Sequence, residues 1–150
     1  MAQVCLLGEP ESDLRYELLS RETARDALST YELREPYANS LALDTVSIGA
    51  AVSLLNDLNW YLVRFVRTAL VQSDSVSETE WLSRDLATAI RDGDVAPAET
   101  GQLLKLYGVD GSQGRLEDPV FVDREGDWTP EREGYDEVLV VRVTEAEFER

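Results

Sequence analysis

Apolar residues recur along this chain in two periods, and the switches between them lay out its elements. "AQVCLLG", closed by Gly8, is an apolar run of strand length. "EPES" leads into "DLRYELLSRETARDALSTY", where Leu14, Leu18, Ala24, Ala27, Leu28 and Tyr31 return at helical spacing and Ser12 is placed to cap. "SLALD", after Pro36, predicts a second strand. The longest apolar stretch, Val46 to Val71, contains "SLLNDLNWYLVRFVR", Ser53 to Arg67. At helical spacing, Ala51, Leu54, Leu55, Leu58, Tyr61, Leu62, Phe65, Val66 and Ala69 share one arc of about 140°. Gly49, Ser53, Asn56, Asp57, Asn59, Trp60, Arg64 and Arg67 lie on the other side, so the pattern predicts one long amphipathic helix. A strand would send Arg64 and Arg67 to opposite faces.

"SETEWLSRDLATAIRDG" predicts a third helix, with Ser77 and Glu80 at capping-box spacing and Gly93 just past the last turn. "APAETGQLLKLYG" reads as a shorter one: Pro97 suits the first position, Leu103, Leu104 and Tyr107 share a face, and Gly108 ends it. Gly101 weakens that helix by about 1 kcal/mol, which leaves helix and strand both open over Gln102 to Tyr107. "DGSQG" reads as a loop, "PVFVDR" as a strand, "EGDWTPEREG" as a polar loop carrying Trp128, "DEVLVVRV" as the strongest strand, and "TEAEFER" as a last turn. The expected architecture is α+β: a small mixed or antiparallel sheet with strands from both chain ends, packed against a helical middle of about four helices, as one domain over residues 1–150.

Charge changes the picture next. Asp and Glu number 30 against 14 Lys and Arg, a formal net charge of -16 and a pI near 4.2. Hydrophobic content of 43%, with three Trp and six Tyr, argues for a folded rather than a disordered acidic chain. All the cations but Lys105 are arginine. Such a surface suits molar salt, where the Debye length is ~3 Å and self-repulsion is screened. Acidity of this kind describes a solvent, so a nucleic-acid partner is not excluded by net charge. "LLNDLNWYLVRF" and "SETEWLSRDLATAIRDG" resemble segments of small acidic haloarchaeal proteins of unknown function. That resemblance implies no activity, cofactor or partner. Asp57, Arg64 and Arg67 argue against a membrane span through the apolar stretch, and no basic leader precedes an apolar core at the start, so the expected location is cytoplasmic.

Candidate chemistry is sparse. The chain has no histidine and one cysteine, Cys5, in an apolar run, so a zinc site, a disulfide framework and the usual general base are all missing. No G-x-S-x-G elbow and no dinucleotide or phosphate-loop fingerprint occurs, and no cofactor is expected. Helix starts after Gly8 and at Asp44 or Thr45 are better read as capped than as anion sites, since Glu9 and Glu11 would repel a phosphate. Glu78, Glu80 and Asp85, with Asp57, are the acids from which a Mg²⁺ enzyme acting on nucleotides or nucleic acid would be built. Element order from Glu78 to Val143 also suits a winged-helix DNA-binding module, although its would-be recognition helix offers Glu99, Gln102 and Lys105 and no arginine.

The leading expectation rests on Asn56, Asn59, Trp60, Arg64 and Arg67. Arg64 follows Trp60 by four residues, close enough to lie on the indole, a contact worth ~0.5–1 kcal/mol at an exposed site. An aromatic flanked by arginine and amides has the composition of an interface centre. The expected function is therefore a non-enzymatic interaction or regulatory domain, docking another protein or a second copy of itself. The competing reading is a solvated helix whose tryptophan is covered by the rest of the chain.

Overall fold

A computed structural model describes residues 1–111, 114–126, 135 and 137–148; most of the expected "EGDWTPEREG" loop, with Trp128, and part of the "DGSQG" loop lie outside these. Strands β1 (Ala2–Gly8), β2 (Ser40–Thr45), β3 (Val66–Ser73), β4 (Trp81–Ser83), β5 (Leu103–Asp110), β6 (Arg115–Leu116), β7 (Val120–Asp123) and β8 (Glu137–Arg142) form one sheet. Its order is β2-β1-β3-β4-β8-β5-β6, with β7 also on β5. Every pairing is antiparallel except β4 with β8, so the sheet is mixed and draws strands from both ends of the chain. Helices α1 (Leu14–Leu19), α2 (Glu22–Leu28), α3 (Ile48–Asp57), α4 (Asn59–Phe65), α5 (Arg84–Arg91) and α6 (Glu145–Phe148) complete the α+β fold.

Both faces of the sheet carry apolar clusters, and strand alternation sorts residues between them. Val4, Leu6, Leu41, Leu43, Val71 and Leu82 point one way, into a core with Leu14, Leu18, Leu28, Leu55, Leu58, Leu62 and Leu86 of the helices. Cys5, Leu7, Ala42, Leu70 and Trp81 point the other way and meet Tyr107, Val109, Leu116, Leu139 and Val141. Burial on both faces is why β1 reads as an apolar run from Val4 to Leu7. The segment leading into β2 reaches the far end of the sheet: the Ala38 amide donates to the Gly114 carbonyl at 2.9 Å, and the Tyr37 hydroxyl to Glu137 at 3.2 Å. Among the described residues no helix is long and apolar enough to cross a membrane.

Several expectations are corrected. The long helix is two, broken at Leu58, and it stops at Phe65. Val66 to Ser73 instead forms β3 between β1 and β4, where Val66, Thr68 and Val71 supply the β-branched side chains that favour a pleated surface. The segment expected as a fourth helix is β5. Three apolar positions in so short a stretch fit either period, and pairing with β8 on one side and β6 and β7 on the other satisfies its backbone as a strand. This also removes the recognition helix from the winged-helix order. Ser77 caps no helix: its hydroxyl accepts from the Thr79 and Glu80 amides in a turn, and α5 begins later, with Ser83 accepting from Leu86 at 3.2 Å. Asp13, not Ser12, caps α1, and the first helical segment is broken between Leu19 and Glu22. The sheet is accordingly larger than the small one expected, with eight strands, and six helices accompany it among the described residues, four of them seven residues or longer.

Candidate functional site

Helix α4 follows a break at Leu58, whose carbonyl accepts from both Tyr61 and Leu62. Leu58 and Leu62 turn inward and are buried, which rotates Trp60, Val63 and Arg64 outward. Trp60 keeps 49% of its surface accessible and Val63 72%. The Arg64 guanidinium lies 3.7 Å from the centre of the indole, and its Nη1 donates to the Trp60 carbonyl at 2.8 Å. The expected i,i+4 stack is therefore formed, and the hydrogen bond fixes its orientation. Phe65 and Tyr61 meet the indole edge-on, at 6.5 and 5.0 Å. Arg21, from the start of α2, brings a second guanidinium to 5.7 Å from Trp60 and 5.1 Å from Phe65, and pairs with Glu17 at 3.2 Å.

The other expected members do different work. Asn56 and Asn59 are exposed, but their Oδ1 atoms accept from Arg84 of α5 at 3.2 and 2.8 Å, together with the Leu55 carbonyl at 3.3 Å. They bind α3 and α4 to α5. Desolvation lowers the Arg84 pKa, and the neighbouring Asp85 charge opposes that shift in part. Arg67 leaves the face altogether. From β3 it crosses to the carbonyls of Leu116 and Glu117 and to Asp118 at 2.9 Å, tying the middle of the sheet to its far edge. Trp60 and Arg64 thus remain together, and Arg21, Phe65 and Val63 join them. Arg21 comes from the junction of α1 and α2, so no periodicity around Trp60 could have found it.

Elsewhere the polar groups serve the fold. Cys5 is buried and its thiol is pushed up to about 12 by desolvation, which the charge of Arg34 only partly offsets; it is a core side chain and not a nucleophile. Of the acids considered for a metal, Glu80 is engaged by Arg124 at 2.6 Å and Arg142 at 2.8 Å. Among the described residues no group of three or more acidic, cysteine or histidine side chains stands close enough to hold a metal. A cavity of about 690 Å³ opens beside Pro10, Asp13, Arg15, Tyr37 and Asn39. Its polar side chains already have partners: Asp13 caps α1, Asn39 accepts from the Leu14 amide and donates to the Glu9 carbonyl, Arg15 pairs with Glu35, and the Tyr37 hydroxyl donates to Glu137. The indole with its stacked guanidinium, by contrast, is an accessible arrangement that pairs with no acid among the described residues.

Residues 2–109 match the model of a family of unknown function, DUF5804. No curated protein and no solved structure matches the chain.

Proposed function

Since the chain belongs to this family of unknown function, DUF5804, we propose from its geometry that it is a non-enzymatic docking domain whose α4 face, centred on Trp60, binds a partner protein. The observation that carries the reading is that Trp60 is half exposed while locked in place by Arg64. A large aromatic left in water forgoes burial that would stabilise the fold, and Trp and Arg are the residues most enriched where binding energy concentrates. Pre-ordering the pair also lowers the entropy lost when a partner covers it. Arg21, Phe65 and Val63 extend the face.

The test is a comparison of captures from a lysate in molar KCl, using the full chain and its Trp60→Ala and Arg64→Ala variants as baits. A partner retained by the native chain should lose at least ~1–2 kcal/mol of affinity with either variant, while circular dichroism stays native. Equal capture by all three baits would sink the reading.

A further inference from the structure

Arg64 is a cation held in place without an anion: Arg25, Arg84 and Arg115 also lack an ion pair among the described residues, but only Arg64 of these four is fixed on an aromatic ring. Acids outnumber bases 30 to 14, and seven arginines among the described residues sit in salt bridges. Arg64 is exposed and pairs with no acid among the described residues; there it contacts the indole of Trp60 and the Trp60 carbonyl, neither of them an anion. Among the described residues one of its five N–H donors is taken, by that carbonyl. The stack and the hydrogen bond hold the guanidinium plane still, and a fixed plane is what bidentate recognition of a carboxylate needs. Resting on the docking reading above, we infer that the segment received by this face is acidic: a carboxylate side chain of a partner protein seats on Arg64, beside an apolar side chain that packs on Trp60 and Val63.

A phosphate would also suit a guanidinium, and bases stack on tryptophan, but the surroundings disfavour a polyanion. Asp57 lies three residues before Trp60 and Glu17 holds Arg21, two carboxylates near this face in sequence or in space. Consecutive phosphates of a nucleic acid would each meet that field, whereas one carboxylate needs only the local cation. A second copy of the same face is disfavoured in turn, because it would set Arg64 and Arg21 against their own kind.

The probe is a phage-displayed library of random dodecapeptides, selected on the full-length chain, with Trp60→Ala as the subtracting bait. Expected are Trp60-dependent peptides enriched in Asp or Glu next to an apolar residue. A synthetic copy of one such peptide should bind about tenfold or more weakly once its acids are changed to amides, and similarly weakly to Arg64→Lys, which keeps the charge and loses the planar fork. Trp60-dependent peptides without acid enrichment, or amide copies that bind equally well, would overturn the carboxylate inference and leave the docking reading standing. No Trp60-dependent peptide at all would overturn both. Displacement of the peptide by a deoxythymidine dodecamer would overturn it in favour of a nucleic acid.

Discussion

Leu58 and Trp60 are two positions apart and have opposite fates, which makes them a direct measure of what the α3–α4 break does. Leu58 is 1% exposed and sits between helices and sheet, so Leu58→Ala should cost about 2–5 kcal/mol in chemical denaturation. Trp60→Ala should cost far less, since its ring lies on the surface and contacts Arg64, Arg21, Phe65 and Tyr61 rather than the core. Asn59→Ala falls between them at about 1 kcal/mol, because the desolvated Arg84 loses its shortest acceptor. A Trp60→Ala loss equal to that of Leu58→Ala would make the indole a core group. The wheel drawn from sequence placed all three side chains on the correct side. It missed the role of the asparagines, because nothing within α3 or α4 announces that Arg84 of α5 will arrive.

Two elements changed type, and both did so where neighbours compete with local preference. Val66 to Ser73 continues the helical apolar arc on paper, yet as a strand it lies between β1 and β4 and buries side chains on both faces. Leu103 to Asp110 is likewise enclosed by strands on each side. Hydrogen exchange checks this placement: the amides of Leu104 to Val109 that bond to neighbouring strands should exchange near the global unfolding free energy, as those of an internal strand do. The 97–99 turn should exchange fast, having three residues and no buried side chain. Fast exchange throughout 104–109 would refute β5 as an internal strand. Gly8 tests the joint between β1 and α1. A Cβ there would stand 2.6 Å from Asn39 Nδ2 and 2.9 Å from Leu14 Cβ, so Gly8→Ala should destabilise by about 1–3 kcal/mol.

At the scale of the whole molecule, charge governs the response to solvent. Burial tends to raise the Glu80 pKa from its ordinary 4.5, but hydrogen bonds from Arg142 and Arg124, and then their charges, outweigh burial and hold it lower. A carboxyl with a depressed folded pKa stabilises the fold above its unfolded pKa and loses that contribution as pH falls through the folded value. Acid titration of melting temperature should therefore show a fall below about pH 4.5 that is shallower in Glu80→Gln, with the variant less stable than the native chain at neutral pH. Parallel curves would exclude Glu80 as a contributor. The net charge of -16 sets a second expectation. Lowering KCl from molar to about 0.1 M lengthens the Debye length from ~3 to ~10 Å, and self-repulsion should then reduce helical signal and melting cooperativity. Unchanged circular dichroism and melting across that range would refute salt dependence.

By itself the sequence determined whatever depends on neighbours within one element. The apolar run of β1, the buried arc of α3 and α4, the Trp60–Arg64 stack and the strand character of Val120–Asp123 and Glu137–Arg142 are all set by the pattern along a single backbone. Tertiary structure decided the rest. It turned the ends of two apolar segments into β3 and β5, since a strand's hydrogen bonds lie on other segments while a helix makes its own. It sent Arg67 away from the α4 face by ending the helix before it, and it brought Arg21 to Trp60 from the junction of α1 and α2. The candidate face is thus half local and half assembled. Its stacked pair follows from a four-residue spacing, and its second cation follows only from where the junction between α1 and α2 lies against α4.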